Sequence, residues 1–274
     1  MNEKSGSSGN VRPLAVITAL MFLAVITVNA LANILPINGV QTGRASDDLP
    51  NLFVPAGLTF SVWGLIYLLL AGYVVAMLGQ AFGKAEGQDS SGLWEAGDGA
   101  ILSFNFAANI AWIFAWHYHR VGLSLVFMLL ILGSLIWLEE RNAARAGAKA
   151  SSKAASFFLS TPINVYLGWI CVATIANATA FLVSLGWDGF GLDPRVWTVA
   201  VIAAGLAVGL LLAFLRGAVA APLVVVWAYA GIVIKRTSVD SGYSAAIWIS
   251  ALAAAVILLA AVGARLALRS RKAA

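Results

Sequence analysis

The chain has 274 residues, of which 61% are hydrophobic and 11% charged. Soluble domains carry about 25% charged residues, so this composition excludes them and points to an all-α polytopic membrane protein. The net charge of +5 does not indicate nucleic acid, because the basic residues sit at the ends of apolar runs, where they set orientation. The single cysteine, Cys171, lies inside such a run and excludes a disulfide framework or a cysteine-based zinc site.

Residues 1–12 are polar and rich in Ser and Gly, the composition of a disordered tail. The first apolar run, 13–34, is long enough to cross a hydrocarbon core of roughly 30 Å. A signal peptide is the alternative, since Ala30-Leu31-Ala32 resembles a cleavage site, but the run is longer than a signal core. Asn29 and Asn33, four apart near its end, can face other helices.

Seven further spans are predicted, over residues 53–82, 98–118, 122–138, 157–185, 195–215, 218–234 and 243–268. Between them lie a Pro/Gly-containing loop at 35–52, a polar acidic loop at 83–97 and a charged connector at 139–153. Asp193-Pro194 reads as an N-cap followed by the first helical residue. Pro162 either kinks the fifth span or marks its start. Eight spans put both termini on one side of the membrane. Of the 17 Lys and Arg residues, only Arg44, Arg120, Arg195, Lys235 and Arg236 fall on the other side. That excess places both termini in the cytoplasm, in a bacterial inner membrane.

The chain has ten tryptophans. Trp94, Trp137, Trp187, Trp197 and Trp248 fall near span ends and fit interfacial belts. Trp63, Trp112, Trp116, Trp169 and Trp227 lie deeper, where an indole N–H needs a polar partner or a ligand. Trp169, Ala173 and Asn177 recur every four residues in the fifth span and predict one inward face with an aromatic, a small residue and an amide. Asn105, Asn109, Trp112 and Trp116 form a similar face in the third span, and Trp63 and Tyr67 a third in the second. No Asp, Glu, Lys or Arg interrupts the middle of these spans, which argues against a proton-driven pump. There is no Walker loop, catalytic triad, paired carboxylate or nucleic-acid motif. His117 and His119, the only histidines, fall in an interfacial turn; opposed by 200° on a helix, they read as interface residues rather than metal ligands. Asp47-Asp48 and the acidic stretch to Asp98 read as solvated loop charge. Gly79-x-x-x-Gly83 and Gly205-x-x-x-Gly209 have the spacing of close helix contacts, within one chain or between two.

Three blocks in order resemble the tryptophan-rich sensory proteins, or translocator proteins (the peripheral benzodiazepine receptor family). These are Pro55 followed by Val62-Trp63-Gly64-Leu65-Ile66-Tyr67; Asn109 and Trp112 followed by Gly122-Leu123-Ser124-Leu125-Val126; and Trp169, Ala173, Thr174 and Asn177. The resemblance covers residues 13–185. It departs at Pro55-Ala56-Gly57-Leu58, where a family tryptophan is missing, and in the 35–52 loop, which lacks the aromatic and Lys-Pro features.

The resemblance implies a five-helix bundle over 13–185, with 186–274 as a three-helix addition. It also implies a ligand pocket lined by Trp63, Asn109, Trp112, Trp169, Ala173 and Asn177. The expected ligand is a hydrophobic planar molecule, a porphyrin or haem, held for sensing, sequestration or transport. No obligatory cofactor is expected. The alternatives are transport of another small molecule through the extra helices, light-dependent porphyrin breakdown, and a structural subunit. The expected partners are the lipid bilayer and a second copy of the chain in a homodimer.

Overall fold

The computed structural model describes residues 11–35, 37–83, 94–149, 153–239 and 242–273. Nine α-helices are found among them: α1 (Val11–Ile34), α2 (Thr42–Asp47), α3 (Val62–Phe82), α4 (Ala96–His117), α5 (Val121–Lys149), α6 (Lys153–Ser184), α7 (Pro194–Phe214), α8 (Ala220–Val239) and α9 (Ala245–Ala273). All but the short α2 are long and apolar enough to span a bilayer. The expected tail lies outside the described residues up to residue 10. Val11 and Arg12 already belong to α1, and Arg12 Nε donates to the Ala81 carbonyl at 3.0 Å. The polar loop is likewise outside the described residues over 84–93.

Five helices close into a ring in which α1 packs on α3 and α4, α4 on α5, α5 on α6, and α6 back on α3. The remaining three, α7, α8 and α9, pack on one another and dock mainly through α8 onto the outer face of α6. Two glycines set how closely the units approach. A Cβ on Gly168 would lie 2.6 Å from the Ala221 carbonyl oxygen, and one on Gly231 would overlap the Thr59 side chain. The first is a backbone-to-backbone approach and the second seats a side chain directly on backbone, the close contacts that small residues permit between membrane helices.

Hydrogen bonds tie the units at one end, where Ala56 N donates to the Gly231 carbonyl at 3.0 Å and Trp227 Nε1 to the Thr59 carbonyl at 2.9 Å. Arg216 pairs with Glu140 at 2.5 Å at the other end. The contacts of Arg12 with Ala81, Arg141 with Asp98, Arg216 with Glu140 and Arg269 with Gly217 gather the start of α1 and the end of α9 at this second end. It is called the termini end below, and the opposite one the loop end.

The structure corrects several boundaries. α5 runs unbroken to Lys149, so the charged stretch after 139 is helix rather than connector, and Glu139, Asn142 and Arg145 are buried. α6 begins at Lys153 and passes through Pro162, which is therefore not its start. Asp98 is no solvated loop charge but a fully buried residue in the first turn of α4. It accepts from Arg141 Nε at 2.8 Å and Arg145 Nη2 at 2.7 Å on Oδ1, and from Arg145 Nη1 and the Glu95 amide on Oδ2. Trp94, expected in an interfacial belt, is buried edge-on against Tyr73. Gly205 and Gly209 make contacts within the chain, against Tyr229 and Leu258. Asp193 does cap α7, accepting from the Arg195 amide at 2.8 Å, with Pro194 at the first helical position. Hydrogen bonds from Arg195 hold the exposed Asp193 carboxyl down at about 2.

Candidate functional site

Three tryptophans from three helices meet inside the ring. Trp63 of α3 lies with its ring centroid 6.4 Å from Trp112 of α4 and 6.3 Å from Trp169 of α6, edge-on to the latter. Tyr67 stacks on Trp63 one turn along at 5.5 Å, Tyr166 meets it edge-on at 5.8 Å, and Phe60 is edge-on to Trp169 at 5.8 Å. Trp112 in turn stacks on Trp116 at 6.1 Å. Aromatic pairs at 4.5–7 Å attract through their quadrupoles as well as by area.

The polar atoms of this cluster divide into two kinds. Asn29 Nδ2 donates to Asn109 Oδ1 at 2.9 Å, and Asn109 Nδ2 to the Tyr166 hydroxyl at 3.0 Å, a hydrogen-bonded chain from α1 through α4 to α6. Its members are satisfied, so it fixes the ring's cross-section. In contrast, the indole N–H groups of Trp112 and Trp169 and the hydroxyl of Tyr67 are buried without a hydrogen-bond partner. An unpartnered buried donor costs about 1–3 kcal/mol, and three of them together mark the place where polar atoms of a ligand would be welcome.

A cavity of about 380 Å³ adjoins the cluster, lined by Asn29, Asn33, Thr42, Phe60, Trp63 and Tyr67 among others. Its walls are α1, α3 and the segment joining them. That segment is pinned to α4: Trp116 Nε1 donates to the Thr42 carbonyl at 3.3 Å, and Asn38 Nδ2 to the His117 carbonyl at 3.0 Å. His117, read from sequence as an interfacial residue, is fully buried beneath this segment. Its Nδ1 lies 2.8 Å from the Ile113 carbonyl and its Nε2 3.4 Å from Thr42 Oγ1, so both ring nitrogens face protein groups. His119 sits outside the ring, paired with Asp48 at 3.2 Å.

Of the six residues singled out from sequence, the structure brings Trp63, Trp112 and Trp169 into one cluster and joins Asn109 to it through Tyr166. Ala173 packs half-buried one turn beyond Trp169. Asn177 points elsewhere: it exchanges hydrogen bonds with Ser124 of α5 at 2.8 and 3.0 Å, a staple between neighbouring helices. Asn105 is also a staple, donating to the Ile131 carbonyl and Ser134 Oγ. Sequence reasoning missed Tyr166 and Phe60. Tyr166 could have been found three residues before Trp169 on the same helical face; Phe60 lies outside any long helix and carries no periodic signal.

Neither the comparison with curated proteins nor that with solved structures finds a match. The family described as TSPO-like protein matches over residues 15–264. That span takes in α7, α8 and most of α9 besides the ring, so the C-terminal helices fall within the matched length. With eight membrane-spanning helices and a family match over most of its length, the chain is an integral membrane protein and belongs to the TSPO-like protein family.

Proposed function

We propose that the chain binds a flat hydrophobic molecule, a tetrapyrrole such as a porphyrin or haem, against the indoles of Trp63, Trp112 and Trp169. The observation that carries this reading is the convergence of three indoles from three helices, two of them with buried, unpartnered N–H groups, next to a cavity that Trp63 and Tyr67 line. Indole faces offer stacking area to a planar ring, and the free N–H groups offer donors to its polar substituents. The cavity is at the lower end of the range for small-molecule sites, so a macrocycle is admitted by drawing back the segment between α1 and α3. The role that fits is sensing or sequestration, with both termini in the cytoplasm of a bacterial cell.

Porphyrin titration of the purified chain in detergent tests this, read by porphyrin absorbance and tryptophan fluorescence. Saturable binding that weakens about tenfold in Trp169→Phe and in Trp63→Leu is expected. Binding that does not saturate, or that ignores both changes in folded protein, removes the tetrapyrrole reading.

Movement of the ligand across the bilayer is a second reading, favoured by one observation. The joint between the ring and the C-terminal helices holds a cavity at each end, one including Glu139, Arg216 and Arg269 and one including Phe53, Trp197 and Arg236. Accumulation of porphyrin in proteoliposomes beyond the bound amount supports transport; its absence leaves binding alone.

A further inference from the structure

The cavity at the loop end of the joint is separate from the aromatic cluster. It encloses about 830 Å³ between the segment at 46–54, the end of α6, the start of α7 and the end of α8. Most of its wall is apolar, with Phe53, Leu182, Val201, Trp187 and Trp197 among the lining residues. Trp197 is held in place by its Nε1, which donates to the Gly189 carbonyl at 2.8 Å.

Into this wall α8 places Arg236, a residue that is 8% exposed. No carboxylate pairs with it among the described residues. Its Nε has no partner, and its bonds are two long ones from Nη2, 3.5 Å to the Asn51 carbonyl and 3.4 Å to the Val54 carbonyl. Good N–H···O bonds are 2.7–3.2 Å. The carboxylates near the rim are exposed and engaged elsewhere: Asp47 with Lys235 at 2.7 Å, and Asp188 with the Phe190 amide at 2.9 Å. A guanidinium is always charged and presents a planar fork of donors matched to an oxyanion. A buried charge on a membrane-spanning helix, left without a carboxylate beside a cavity, points to a ligand that supplies the missing oxygens.

We infer that this cavity is a second binding site, for an amphipathic anion with one carboxylate or phosphate head on a long apolar tail. The head meets Arg236, and the tail lies along Leu182, Val201 and the indoles of Trp187 and Trp197. The site does not depend on what the aromatic cluster binds. The head can belong to a free fatty acid or to a phosphate-bearing lipid, because the guanidinium recognises the same fork of oxygens in both.

The test is native mass spectrometry of the full chain in a nonionic detergent, titrated with palmitate, with hexadecyl phosphate and, as the uncharged comparator, with hexadecanol. Palmitate or hexadecyl phosphate is expected to bind saturably and at least about tenfold more tightly than hexadecanol. Arg236→Gln is expected to abolish that ratio, Arg236→Lys to keep part of it, and Val183→Trp to weaken acid and alcohol alike by filling the cavity. Trp169→Phe leaves all three ligands unaffected. Preference for the phosphate identifies a membrane lipid as the source, and preference for the carboxylate a free acid; either supports the site. Equal binding of acid and alcohol by the unmodified chain overturns it, a result that needs no variant to fold. An unchanged ratio in a folded Arg236→Gln overturns it as well.

Discussion

Two arginines in this protein are buried to nearly the same degree, Arg145 at 7% exposure and Arg236 at 8%. At the termini end, Arg145 forks onto both oxygens of Asp98, reaches Asn142 at 3.2 Å and is backed by Arg141. At the loop end, Arg236 meets two distant carbonyls and a cavity. Equal burial thus serves two purposes. A charge whose partner is built into the fold locks α4 to α5. A charge left without one weighs on the fold until something from outside supplies the oxygens.

The contrast breaks most severely at Asp98. Asp98→Ala removes the buried carboxylate on which Arg145 and Arg141 converge, and a loss of about 3–5 kcal/mol is expected in reversible unfolding. The double change Asp98→Leu with Arg145→Met removes both charges and is expected to recover most of that loss. A smaller effect is expected where the two units meet. Gly168→Leu drives a side chain into the backbone of Ala221, which cannot move aside as a side-chain tip could. About 1–3 kcal/mol of overpacking follows, read as a lower melting temperature together with faster proteolysis in the loop between α6 and α7. Asn109→Ala removes both bonds of the chain from Asn29 to Tyr166 and is expected to cost roughly 1 kcal/mol, the scale of two interhelical hydrogen bonds in a membrane protein. Arg236→Gln should do least. With no pair to break, stability is expected to stay within about 1 kcal/mol of the parent or to rise. A loss at Arg236 as large as that at Asp98 would erase the distinction between the two ends.

The class and the eight spans were legible because a bilayer forces long apolar runs on any helix that crosses it. The aromatic cluster was partly legible, since Trp63, Trp112 and Trp169 each carry a helical face that can be read locally. The amides were harder. Eight residues along an α-helix rotate a side chain by roughly 80° from the starting direction, which is enough to carry Asn177 from the interior that Trp169 faces to the seam with Ser124. The third span shows the same drift: its stripe from Asn105 to Trp116 looks uniform in sequence, yet Asn105 serves α5, Asn109 serves α1 and α6, and Trp116 serves the segment over the cavity. Arg236 and Asp98 were misread or passed over because each lies at a span end, where charge is ordinary. Their burial is decided by distant chain, residues 46–54 over one and α5 beside the other.

Adjacent residues on α6 carry one last consequence. Trp169 looks into the ring, while Gly168 lies against Ala221 of the neighbouring unit. This helix is a party wall, with a tenant on each side. A residue-by-residue substitution scan along it would alternate with the helical period between two phenotypes, one felt as altered occupancy of the ring and the other as loosened joinery.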